Sequence, residues 1–174
     1  MSPFLSAVLT ATLLATPALA DSYRPAPGDR VQISQGGLAL SRPDASAMAP
    51  LPFGSPFHES LRMLATVLGP DFSVNLPEEC PAGPVVVVSF PDQIDLIYQN
   101  DHLVGWMLRR GSELTTAGGI SLGAPLAALG GFATLEVFES SIGWEFQAGS
   151  ISGLLSDREG MVEHLWSGTV CIFR

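Results

Sequence analysis

The sequence predicts an α+β protein: a twisted antiparallel sheet carrying two short helices on one face, built as a duplicated helix-plus-β-meander unit. Three observations lead there. Each half has a helix-compatible apolar stretch just after a Gly-small-Pro step. Short β-branched and aromatic runs, separated by Gly and Asx turns, follow each of those helices. The chain of 174 residues is 47% hydrophobic and only 14% charged, which is the composition of a packed domain and not of a disordered chain or a coiled coil.

Residues 1–20, MSPFLSAVLTATLLATPALA, carry no charged side chain. An apolar run from Phe4 to Leu14 is followed by Ala18-Leu19-Ala20 and then by polar Asp21, the pattern of a signal peptide cleaved after Ala20. That run is shorter than the ~20 residues of a membrane span, and no later stretch approaches the length, so no stable membrane insertion is expected. Residues 21–50 read as a Pro/Ala-rich arm, in which Arg30–Ser34, the Gly36-Gly37 turn and Leu38–Leu40 can fold as a hairpin. Residues 51–174 read as a single α+β domain, with repeat halves at about 51–112 and 120–174.

The best helix spans 55–68. Ser55 suits the N-cap, Pro56 the first turn, and Gly69-Pro70 the stop, while Phe57, Leu61, Leu64, Ala65 and Leu68 make one stripe. After a Pro-rich loop, Val85–Phe90, Ile94–Tyr98 and Leu103–Leu108 read as strands, the last two joined at Asn100-Asp101. In the second half, 124–129 reads as a short helix stopped by Gly130-Gly131. Thr134–Phe138, Trp144–Gln147, Ile151–Leu155, Met161–Trp166 and Thr169–Phe173 read as strands. The halves align: Leu51-Pro52-Phe53-Gly54-Ser55-Pro56 matches Ile120-Ser121-Leu122-Gly123-Ala124-Pro125, and Ile94–Trp106 matches Ile151–Trp166.

Export decides the reading of the two cysteines. In an oxidising compartment Cys80 and Cys171 read as a disulfide. It would close a loop of about 90 residues, worth roughly 4 kcal/mol in the chain-entropy model. The expected location is periplasmic or secreted.

The segments Glu79-Cys80-Pro81-Ala82-Gly83-Pro84, Gly105-Trp106, Leu114–Ile120 with Gly123, and Val170–Arg174 resemble an uncharacterised family of small exported bacterial proteins over most of residues 35–174. That resemblance implies export and a Cys80–Cys171 bridge, and no reaction. More distantly, the tandem plan resembles the β-lactamase inhibitory proteins, and one copy resembles the small outer-membrane assembly lipoproteins. This implies helices on one face of a curved sheet, and a sheet or loops that bind another protein. The chain has one disulfide candidate where the inhibitors have more, and no lipidation Cys, so no interface residue is carried over.

The sequence holds little that reads as chemistry. All 8 basic residues are Arg, against 17 acidic ones, and a net charge of -9 argues against nucleic acid as a partner. His58, His102 and His164 form no metal-ligand spacing, and no cofactor motif is present. Gly149-Ser150-Ile151-Ser152-Gly153 has Ile at its centre and is not a nucleophile elbow. Glu136, Glu139 and Glu145 read as the solvent side of a sheet. The aromatic strand residues are more informative. Tyr98, Trp106, Trp144 and Trp166 read first as core beneath the helices, and His164 as a satisfied sheet histidine; together they are also the candidate binding face, since such side chains anchor interfaces when they are not in the core. The expectation is therefore a non-catalytic exported module that binds a protein or small apolar ligand of the cell envelope through that face. The alternatives are an envelope hydrolase, with a site in the loops around Asp101-His102 and Glu78-Glu79, and a structural envelope protein.

Overall fold

A computed structural model describes residues 23–44, 48–132 and 134–173; the expected signal peptide and its cleavage point lie outside the described residues. Strands β1 (Arg30–Ser34), β2 (Gly37–Ser41) and β3 (Met48–Pro52) form a small antiparallel sheet in that order. Eight further strands form a second antiparallel sheet. These are β4 (Ser73–Asn75), β5 (Val86–Phe90), β6 (Ile94–Gln99), β7 (His102–Leu108), β8 (Leu135–Ser140), β9 (Gly143–Ala148), β10 (Ile151–Leu155) and β11 (Val162–Gly168). Their spatial order is β4-β5-β6-β7-β11-β10-β9-β8.

This corrects the expected α+β plan with two helices. The protein is mostly β, 44% strand and 11% helical. Among the described residues there is one α-helix, α1 (Phe57–Leu68). The second expected helix is a single turn of 3-10 helix, Leu126–Leu129. Gly130 ends it after four residues by returning its N–H to the Ala127 carbonyl, and one turn cannot repay α-helix nucleation. In α1 the N-cap is Pro56, not Ser55, whose hydroxyl instead donates to the Pro52 carbonyl at 2.7 Å.

Both Gly-small-Pro steps enter the sheet by the same contacts. The Gly54 N–H donates to the Leu103 carbonyl at 2.7 Å, and the Leu103 N–H donates to Ser55 at 2.9 Å. The Gly123 N–H donates to Val162 at 2.7 Å, and the Val162 N–H donates to Ala124 at 2.8 Å. Phe57 then donates to Asp101, as Leu126 donates to Gly160. A β-bulge interrupts the last hairpin at the corresponding place in each half, at Ile97/Tyr98 and at Leu154/Leu155. The Gly-small-Pro contacts make Leu103 equivalent to Val162, so Met107, and not Trp106 as the sequence alignment has it, is the counterpart of Trp166, and it lies opposite Trp166 where β7 pairs with β11.

Cross-strand pairs share a face, so register divides the sheet. Val88, Leu96 and Trp106 face one side with Phe90, Ile94 and Leu108; Phe146, Ile151 and Leu165 continue that core. The small sheet and α1 contribute to the same cluster. Trp106 Nε1 donates across to the Ser34 carbonyl at 2.9 Å, and Ile33, Leu38, Leu40 and Leu51 are buried there. Described residues 30–52 are thus part of the core and not an arm. Pro50 and Pro52 sit in β3, an edge strand, where a missing N–H is tolerated.

The expected strand Thr169–Phe173 is also corrected, since none of it is strand. Gly168, at φ 75°, turns the chain off the sheet. The Thr169 N–H donates to Val104 at 2.9 Å, and Thr169 crosses above Gly105, where any Cβ would fall on the Thr169 carbonyl. Beyond that crossing, Cys171 is bonded to Cys80, with Cα atoms 5.0 Å apart. The described residues contain no helix long and apolar enough to cross a membrane.

Candidate functional site

A concave surface lies where α1 begins. It is a cleft of about 300 Å³ lined by Phe57, Leu76, Pro84, Val85, Val86, Tyr98, Gln99, Asn100 and Asp101. Each wall has a local cause. Phe57 is placed by the Pro56 step and stacks edge-on against Tyr98, with ring centroids 4.7 Å apart. The Tyr98 hydroxyl is spent inward on Ser60 Oγ, 3.1 Å away. Burial pushes this phenol up to about 12, with the Ser60 bond acting in the opposite direction, so the ring presents a neutral apolar wall. Asn100 and Asp101, at φ 51° and 60°, make the tight left-handed turn between β6 and β7 and form the polar rim.

The loop between β4 and β5 forms the outer wall and is held at two points. Gln99 Nε2 donates to the Ala82 carbonyl at 2.9 Å and to the Pro84 carbonyl at 3.3 Å. Cys80 is fastened to Cys171. The same loop borders a second hollow of about 440 Å³, whose lining includes Glu78, Glu79, Pro84 and Phe173. Among the described residues neither lining contains an Arg or a His.

Beside the cleft runs β4. It is an edge strand: β5 covers one side of it, and among the described residues no strand covers the other. Phe72, Val74 and Leu76 alternate along it and are exposed, Leu76 to 73%. Between Phe72 and Leu76 there is no charged residue.

The residues expected to form one aromatic face do not meet on one surface. Tyr98 and Trp106 are buried on the core side, and Trp144 is half-buried on the same side, with the Arg158 guanidinium 5.8 Å from its ring centre. Trp166 is buried, and it and His164 belong to the opposite side. Glu145, read as solvent-facing, is 1% exposed. The Asp101-His102 pair sits at the β6–β7 turn, where a His102 ring nitrogen lies 2.6 Å from the Asn100 carbonyl. His58 is on α1, distant in sequence from both other histidines. Among the described residues no group of three His, Cys, Asp or Glu is arranged to hold a metal.

Sequence reasoning missed Phe57, Leu76, Pro84, Val86 and Gln99 as site residues. One signal could have found them. Register aligns Val86, opposite Tyr98, with Trp144, opposite Leu155. A Val in the first half therefore stands where the second half has a Trp, and that Val lines the cleft. No protein-family model, curated protein or solved structure matches the chain.

Proposed function

We propose that the protein is an exported, non-catalytic binding module of the periplasm or extracellular space, and that it docks a segment of another protein at the cleft beside β4. One observation carries this reading: an uncharged, unpaired strand edge adjoins an apolar cleft whose outer wall is already fastened by Gln99 and by the disulfide. Fixing a wall in advance lowers the ordering cost of binding. Export is supported by the leader-like residues 1–20 and by the Cys80–Cys171 bond, which suits an oxidising compartment. The binding surface in this reading is the edge and cleft, since Tyr98, Trp106 and Trp166 are occupied in packing.

The test is capture from an envelope extract of the protein's own cell, using the oxidised exported chain beside its Val86→Trp variant. Trp144 already occupies the corresponding place in the second half, so the variant is expected to fold. A protein held by the native chain and lost by the variant supports the reading. Equal retention by both, or retention by neither, overturns it.

A further inference from the structure

We infer that the occupant of this site is an extended, cationic polypeptide segment that adds to the free edge of β4 as a further strand, seats an apolar side chain in the cleft, and sets Lys or Arg against Glu78, Glu79 and Asp101. The inference rests on the reading of the cleft as a docking site and names the chemistry of its partner.

Three features of the surface select that chemistry. The outer side of β4 presents main-chain N–H and C=O groups that no strand of the sheet pairs, which is the template an added strand uses. Its side chains alternate, with Phe72, Val74 and Leu76 apolar and Ser73 and Asn75 polar, so a segment with the same alternation meets it apolar to apolar. Leu76 belongs both to this row and to the cleft wall, which joins the edge to the cleft.

Charge selects among occupants. The two hollows, which share Pro84, are lined by Asp101, Glu78 and Glu79 and, among the described residues, by no Arg or His. A basic segment is therefore complementary and an acidic one is repelled. A second copy of this chain brings a net charge of -9 and has no Lys. Its own long free edge, β8, carries Glu136 and Glu139. An anionic lipid surface is repelled for the same reason.

The experiment titrates the oxidised, exported chain with labelled short peptides and reads fluorescence anisotropy. One peptide alternates Lys with Val, one alternates Glu with Val, and one is the Lys-Val peptide with every backbone nitrogen methylated so that it cannot donate to a strand from either edge. The expected result is saturable binding of the Lys-Val peptide, weakening as salt rises. Its Glu-Val and N-methylated counterparts should bind at least about tenfold more weakly. Val86→Trp should abolish the binding, and Glu78→Gln with Glu79→Gln should weaken it several-fold with circular dichroism unchanged. Equal binding of the Lys and Glu peptides, or full binding of the N-methylated one, overturns the inference. So does self-association relieved by Val86→Trp, or uptake of a small neutral apolar dye in place of any peptide. If the partner captured from the extract is still lost on Val86→Trp while no peptide discriminates, only the partner chemistry fails. If Val86→Trp changes nothing in either assay, the docking site fails with it.

Discussion

Strands β4 and β8 stand at opposite edges of one sheet, and each closes a four-stranded meander that follows a Gly-small-Pro step. Their surroundings differ in every respect that bears on docking. At the β8 end the connection to β9 is a tight turn, Glu136 and Glu139 charge the edge, and Trp144 lies where a cleft would be. At the β4 end the connection is the long loop from Leu76 to Val85, the edge is uncharged, and Val86 leaves the cleft open. One scaffold thus has a guarded edge and an open one. The lesson is that backbone pairing sets where a site can be, while a few side-chain sizes and charges decide whether it is there.

The comparison can be broken first at the loop. If the tied loop is what the first half needs and the second does not, Cys80→Ser with Cys171→Ser should lower stability by roughly 4 kcal/mol. Amide exchange should rise first in residues 76–84 and leave the β8–β9 turn unchanged. Denaturant unfolding with exchange mapping checks this, and an even rise across both halves would count against it.

The cores come next. Val88 lies opposite Leu96 in the first half, and Phe146 lies opposite Gly153 in the second, so the same volume is divided differently. A Cβ on Gly153 would meet the Phe146 ring and the His164 carbonyl. Gly153→Leu alone should cost about 3 kcal/mol by overpacking, and Phe146→Val alone about 2 kcal/mol by leaving a void. Combined, they should lose clearly less than the sum, as thermal melts of the three variants will show.

A smaller effect is expected at Ser60 and Tyr98, whose counterparts are the apolar Leu129 and Leu155. A double-mutant cycle of Ser60→Ala and Tyr98→Phe should give a coupling of about 1 kcal/mol for the hydrogen bond. The same pair makes a pH prediction. Tyr98 is raised from 10.0 to about 12, so the folded state holds its proton longer than the unfolded state does. Its contribution is complete below pH 10 and falls away as pH climbs from there through about 12, which tyrosinate absorbance and alkaline unfolding can follow together. Smallest is Arg158→Ala, which should remove about 0.5 kcal/mol of cation–π contact with half-exposed Trp144 and leave the first half untouched.

Much of the strand pattern was legible because a sheet writes itself in period two. Val85–Phe90, Ile94–Tyr98 and Leu103–Leu108 fall on β5, β6 and β7 within a residue or two. Strand β3 was not legible, because Pro50 and Pro52 read as loop while an edge strand tolerates them. Strand β4 has three residues, too few for a period. The Leu126–Leu129 segment has helical composition but only one turn before Gly130-Gly131. Thr169–Phe173 is β-branched, yet Gly168 carries it over the sheet and out of register. The aromatic residues could be read as core or as a binding face for a physical reason: alternation assigns a side chain to a face but not to an exposure. Trp166 lies on the face away from α1 and is still buried. The cleft was hidden because it depends on a difference, Val86 against Trp144, that shows only when the halves are aligned by register.

The bond between Cys80 and Cys171 has a consequence for how the molecule comes into being. The partners are separated by 91 positions, and every strand from β5 to β11 lies between them. A chain that emerges amino end first carries Cys80 without its partner until Cys171 follows. Until that moment nothing fastens the outer wall of the cleft on that side. Chains interrupted before Cys171 would keep Cys80 as a free thiol, on a loop held only from the Gln99 side.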